Sequence, residues 1–290
     1  MFSGCATAII TPMTRTGDID EDGLRELVRF QEERGIRILV PCGSTGESAT
    51  LNHEEHLQVI KIVRDEAKKS KVIAGTGSNA TSEAIHLSKG AKDLGVDGVL
   101  SVSPYYNRPT QAGIIKHFEA IDAAVDVPTI IYNIPSRTGS NITAATMLKL
   151  AEIPSMVGVK EASGDINQIA RILAGAPKDF TVLSGDDTMV LPAMALGAKG
   201  VISVTSNILP EAMLSLVRAI LDGNMTEARS INENLLPIFT ALFLETNPIP
   251  VKTALRLMGR PAGTFRLPLC DMSQKNLEAL RSVLAERKLI

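Results

Sequence analysis

The sequence predicts an α/β fold: a closed (β/α)8 barrel, the TIM barrel, carrying a C-terminal helical extension. Three observations predict it. Eight short runs rich in Val, Ile and Ala recur, mostly apolar on both faces as buried parallel strands are. Longer amphipathic stretches separate most of them, the alternation of a parallel sheet with crossover helices. The eight units all fit before Asn207, the unit count of the barrel, and no GxGxxG follows the first strand as in an open dinucleotide-binding sheet.

The elements follow in order. The first strand is read at Cys5–Ile10, followed by a helix at Leu24–Arg34 that Gly35 closes. A second strand at Ile36–Cys42 leads to a helix at Glu54–Lys69, with Asn52 as its cap. Strand Val72–Gly75 precedes helix Ser82–Leu94, which Thr81 would cap and Gly95 would end. Strand Gly98–Val102 precedes helix Thr110–Val125. Strand Pro128–Asn133 precedes helix Ala144–Ala151, capped by Thr143. Strand Met156–Lys160 precedes helix Ile166–Ala174. Strands Phe180–Ser184 and Gly200–Val204 complete the barrel. After Asn207 the pattern is helical only, at Leu209–Leu221, Met225–Phe243, Pro250–Leu257 and Ser273–Glu286. This divides the chain into a catalytic barrel at 1–223 and a helical region at 224–290.

Bulk properties narrow the function classes. Of 290 residues, 44% are hydrophobic and 21% charged, an ordinary globular balance. Thirty basic residues against 32 acidic ones give a formal charge of −2, which argues against nucleic acid or anionic membrane as partners. Cys5, Cys42 and Cys270 are odd in number and scattered, fitting free thiols in a reducing cytoplasm. No basic leader with an apolar core opens the chain, and no apolar run reaches the ~20 residues of a membrane span. A soluble cytoplasmic protein is expected.

Barrel chemistry sits at the C-terminal ends of the strands. There the sequence places Gly43–Glu47 (GSTGE), Gly75–Asn79, Pro104–Asn107, Tyr132–Asn133 with Pro135–Gly139, Lys160–Glu161 and Gly185–Asp187; all three tyrosines lie at such ends. Lys160 lies inside an apolar strand, and a lysine so buried usually has a partner or a task. Desolvation frees some neutral amine for attack on a carbonyl. The competing reading is a structural lysine paired with Glu161 or Asp186. Tyr132 ends the neighbouring strand and can move protons if Ser44 and Tyr106 form a relay; alone it would be a core filler. The GSTGE loop offers backbone N–H groups to a small anion and lacks the GKS/T of a nucleotide loop. Arg137 suits a second carboxylate, with a surface salt bridge as its alternative. His53 and His56 do not form HExxH, and no third ligand is evident, so no metal site is expected. Cys42 is read as a core residue. Asp186 and Asp187 are read as a turn or helix cap.

These motifs resemble the dihydrodipicolinate synthase family (4-hydroxy-tetrahydrodipicolinate synthases) of the N-acetylneuraminate lyase superfamily. The resemblance spans essentially the whole chain through GSTGE, GTGSNAT (Gly75–Thr81), SPYYNRP (Ser103–Pro109), YNIPSRTG (Tyr132–Gly139), VGVKEASGD (Val157–Asp165) and GVISV (Gly200–Val204). It implies a lyase in which pyruvate forms an imine with Lys160 and its enamine attacks aspartate semialdehyde, with no cofactor. It implies pyruvate's carboxylate on the Ser44 and Thr45 N–H groups, a relay of Tyr132, Ser44 and a neighbouring subunit's Tyr106, Arg137 on the second carboxylate, and Gly185 and Ile202 lining the lysine pocket. Ser44 stands where the family usually has threonine; the hydroxyl is kept, but not the methyl that restricts its rotation. The resemblance further implies a homotetramer built as a dimer of dimers, and feedback inhibition by L-lysine at Ser48, Ala49, His53, His56, Asn79, Glu83 and Tyr105. Two competing functions remain at this stage: a sialic acid or 2-keto-3-deoxy sugar acid aldolase, and a keto-acid sensor without catalysis. Arg137 and the second tyrosine of YYNRP speak against the first, and the Lys160–Tyr132 pair against the second.

Overall fold

The computed structural model describes residues 2–290. Eight parallel strands close into a barrel in sequence order. They are β1 (Gly4–Thr7), β2 (Ile38–Leu39), β3 (Lys71–Gly75), β4 (Gly98–Val102), β5 (Thr129–Asn133), β6 (Met156–Glu161), β7 (Thr181–Ser184) and β8 (Gly200–Ser203). Closure is made by β1 against β8, with Ala6 opposite Ile202.

The two-sided apolar pattern has a direct cause. Inward residues Ala6, Ile38, Ile73, Leu100, Ile130, Leu183 and Ile202 pack together inside the barrel. Their alternates Val72, Val99, Ile131, Val159, Val182 and Val201 pack outward against the helices. Side chains on a strand alternate faces, and here both faces are buried. The outer core continues without a break into the helices Met225–Ala241, Ile249–Leu257 and Gln274–Glu286 through Leu235, Phe239, Val251, Leu255, Leu280 and Leu284. Among the described residues no helix is long and apolar enough to cross a membrane.

Local signals set several boundaries. Asn52 caps helix His53–Glu66 in a full capping box with Glu55. Thr143 caps Ala144–Leu150, and Gly35 and Gly95 take left-handed φ just past their helices. Elsewhere the structure corrects the sequence. Strand β1 ends at Thr7; Ala8 N and Ile9 N still donate to Ser203 O and Val40 O, and by Ile10 the N–H has turned to the Asn207 side chain. The second strand keeps only Ile38–Leu39, since the chain turns at Pro41 and Cys42 adopts φ 55°. Thr81 is the first helical residue, its cap position being Ala80, and its hydroxyl is bonded to His117 Nδ1 at 2.9 Å. Two short helices, Pro135–Thr138 and Val190–Ala195, were not anticipated.

Candidate active site

Lys160 and Tyr132 are register partners on β6 and β5. Both turn into the barrel, and the lysine Nζ lies 4.2 Å from the centre of the tyrosine ring. Lys160 is buried, yet among the described residues no carboxylate lies within 4.0 Å of its amine. Glu161 points to the opposite face, and the Asp186 side chain caps Thr188. The structural-pair reading of Lys160 is thereby overturned. Burial is the main cause that lowers the lysine pKa, to about 8; Asp187 opposes the shift and Arg137 adds to it. An amine with that pKa is about one-tenth neutral at pH 7.

Burial pushes the Tyr132 phenol up to about 12, against the pull of Arg137 and of the neighbouring Ser44 hydroxyl. Tyr106 does not join this group within one chain: it is 89% exposed, at φ 72°, with its backbone N–H on Thr138 O. Gly185 follows β7 beside Lys160. A Cβ there would fall 2.8 Å from Ala162 Cβ, 3.0 Å from Lys160 Cγ and 3.1 Å from Cε, so its lack of a side chain makes room for Ala162 and the lysine stem. Ile202 packs in the same inner-barrel cluster as Tyr132.

The GSTGE loop is held by partners far away in sequence. Gly46 packs on the Cys42 backbone, where a Cβ would lie 2.9 Å from Cys42 N. Its carbonyl accepts from Thr11 Oγ1 at 2.7 Å. Thr45 Oγ1 accepts from Asn247 Nδ2 at 3.0 Å. Glu47, at φ 55°, is fully buried and paired with the equally buried Lys252 at 2.5 Å. Lys252 also donates to Thr264 O at 2.7 Å. Among the described residues the Ser44 and Thr45 N–H groups make no bond, so both are available to an anion. Arg137 donates to Asn247 O at 2.9 Å and has no carboxylate partner among the described residues, which removes its salt-bridge reading.

Ser44, Arg137 and Asn247 line one end of a cavity of about 670 Å³. Ser48, Ala49, His53, His56, Glu83 and Tyr105 line the same cavity, so the expected lysine groove is continuous with the mouth of the site. Glu83 binds both Ser78 and His53, which hold its carboxyl below the usual range. His56 is buried on Gly75 O at 2.6 Å, and burial lowers its pKa. Asn79 stands outside the cavity lining, its carbonyl accepting from Asn107 at 2.9 Å.

Sequence reasoning missed Asn247 and Lys252, the partner of Glu47. Lys252 carried a usable signal: it is a lysine amid apolar residues in NPIPVKTAL, the same anomaly that singled out Lys160. Asp187 was also misplaced. Only Asp186 caps; Asp187 is buried and accepts from Val204 N at 3.1 Å and Thr205 N at 2.8 Å.

A partly neutral amine at a barrel strand end, beside a phenol and a loop with unbonded backbone N–H groups, fits the class of imine-forming barrel lyases. The chain belongs to the Dihydrodipicolinate synthetase family, whose sequence model matches residues 1–287. It is 53% identical to the 4-hydroxy-tetrahydrodipicolinate synthase of Nitratidesulfovibrio vulgaris over 286 residues, covering 98% of each chain. It superposes with TM-score 0.97 on the Cyanidioschyzon merolae enzyme solved with lysine bound, at 42% identity and 100% and 99% coverage. The TM-score is again 0.97 for the chloride-inhibited Acinetobacter baumannii dihydrodipicolinate synthase complexed with pyruvate, at 43% identity and full coverage of both chains.

Proposed function

We propose that this chain is a 4-hydroxy-tetrahydrodipicolinate synthase, condensing pyruvate with L-aspartate 4-semialdehyde through an imine on Lys160. The observation that carries the reading is Lys160 itself: buried, free of any carboxylate and in register with Tyr132. The neutral amine adds to the pyruvate ketone, and loss of water gives a protonated imine. Loss of a methyl proton gives the enamine, whose carbon attacks the aldehyde; the aldehyde oxygen takes up a proton as a hydroxyl. The substrate's own amine then displaces Lys160 and closes the ring. Tyr132 is the proton carrier. Ser44 of the same chain extends its relay, together with Tyr106 from a second copy of the chain, a role that the exposure of Tyr106 on its own barrel supports. The Ser44 and Thr45 N–H groups hold pyruvate's carboxylate, and Arg137 holds that of the semialdehyde. The imine is the electron sink, so no organic cofactor is called on. Glu83, His53, His56 and Tyr105 form the groove for L-lysine, with Glu83 taking an ammonium group.

A coupled assay with pyruvate and aspartate semialdehyde should show turnover, and borohydride with pyruvate should add a stable mass to Lys160. No adduct would overturn the reading, and faster turnover with sugar aldehydes would move the chain to the aldolases. L-Lysine should release or absorb heat in calorimetry and lower turnover at millimolar concentration; a silent titration with full activity would remove the groove assignment alone.

Gly185→Ala should slow adduct formation by about 10–100-fold, because the new methyl displaces the lysine stem. The time course of borohydride-trapped adduct measures it. An unchanged rate would mean that the stem has room to shift without cost.

A further inference from the structure

Behind Lys160 and Tyr132 lies a buried polar network that the proposed chemistry does not use. Asn133 follows Tyr132 and Glu161 follows Lys160, and the two are register partners like their neighbours. Strand alternation turns both outward while the reacting pair turns inward. Glu161 is 1% exposed and Asn133 fully buried. The Glu161 carboxylate accepts from Asn133 Nδ2 at 3.1 and 3.0 Å, from Ser163 N at 2.8 Å and from Gln168 Nε2 at 3.1 Å. Among the described residues no cationic side chain lies within 4.0 Å of it.

The network extends to the loop that carries Arg137. Asn133 donates to Asn141 Oδ1 at 2.8 Å and accepts from Ile142 N at 3.0 Å. Asn141 in turn donates to Gln168 Oε1 at 2.8 Å. One cluster therefore holds the strand of Tyr132, the strand of Lys160 and the C-terminal end of the Arg137 loop. Burying a carboxyl group and three amide side chains is costly, and apolar residues of similar volume would fill the space at less cost. Fixed hydrogen-bond geometry is what such a network supplies and an apolar filling does not.

We infer that Glu161 is a positioning residue, which with Asn133 fixes the mutual placement of Lys160, Tyr132 and the Arg137 loop. The inference rests on the reading of Lys160 and Tyr132 as the reacting pair. It acts through geometry rather than charge, since the carboxylate lies on the far side of the strand from the amine.

The test uses Glu161→Gln, Asn133→Asp and the double exchange of both in the full-length enzyme. Each single variant should lower kcat about 10–100-fold, with KM for pyruvate within about twofold and the pH–rate profile unmoved. The double variant exchanges donor and acceptor and should recover most of kcat. Asn141→Ala, which removes the arm toward the Arg137 loop and leaves every bond of the carboxylate in place, should fall between; it serves as the folded reference if a strand variant does not fold. Full kcat in Glu161→Gln, or in Asn141→Ala where that reference is needed, would overturn the inference. So would a shifted pH profile, or a double variant no better than the worse single. Failure of the underlying reading is distinguishable, because the wild-type enzyme would then form no pyruvate adduct.

Discussion

Replacing Lys160 by methionine is expected to abolish turnover and, at pH 7, to raise the melting temperature. The loss follows from chemistry: without an amine no imine forms, and a fall of at least ~10³-fold is about 4 kcal/mol of barrier. The gain follows from linkage. The buried amine has its pKa lowered to about 8 from 10.5. Between those values the unfolded chain binds the proton that the folded chain has released, so folding stability rises with pH across this window. Below pH 8 the folded protein carries the full cost of a buried ammonium, on the order of 3 kcal/mol. Methionine fills similar space without a charge. The variant should therefore melt several degrees higher at pH 7, at ~2–4 °C per kcal/mol for a domain of this size. Its advantage should shrink as pH rises from 8 toward 10.5. In the wild-type enzyme, adduct formation should rise with pH through an apparent pKa of about 8. Scanning calorimetry across pH and a pH series of borohydride trapping check both. A variant melting no higher than wild type at pH 7 would mean that the lysine is not destabilised in the fold.

The same physics explains what the sequence made visible. Strands buried on both faces read as unbroken apolar runs, so all eight were placed to within a few residues; β2 is shorter than its run because Pro41 and Cys42 turn the chain early. Helix Val190–Ala195 was missed because VLPAMA is short, has no polar face and contains a proline. Lys160 was legible as a charge in an apolar run, and Tyr132 as a neighbour one strand away. Long-range pairs were not legible. Thr45 and Asn247 stand 202 positions apart and Glu47 and Lys252 stand 205 apart, and no local pattern joins them. Adjacent acids were equally opaque: Asp186 and Asp187 look alike in sequence, yet one caps a turn and the other is buried on the backbone of Val204 and Thr205. Glu161 was considered only as a partner for Lys160, although strand alternation already puts adjacent residues on opposite faces; its actual partners Asn133 and Gln168 come from β5 and the following helix and form no local pattern.

Lys252→Met should produce the largest loss of stability of any substitution considered. Lys252 and Glu47 are both fully buried, and removing the cation strands a carboxylate whose second oxygen already lacks a partner. Breaking such a pair costs about 3–5 kcal/mol, or roughly 6–20 °C in melting temperature. The stranded Glu47 would take up a proton to avoid that cost, so its folded pKa would rise above the unfolded value. The variant would then bind more protons folded than unfolded. Its stability should fall as pH rises from about 4 toward neutrality. Activity should suffer too, because Glu47 ends the loop that presents the Ser44 and Thr45 N–H groups; KM for pyruvate should rise several-fold. Glu47→Gln combined with Lys252→Met removes both charges and should recover most of the stability, since the pair's worth lies largely in each partner's dependence on the other. If the single variant melted within a degree or two of wild type, the ion pair would not be what holds the loop. If the double variant recovered stability but not KM, the ion pair's geometry rather than its burial would be what the anion loop requires.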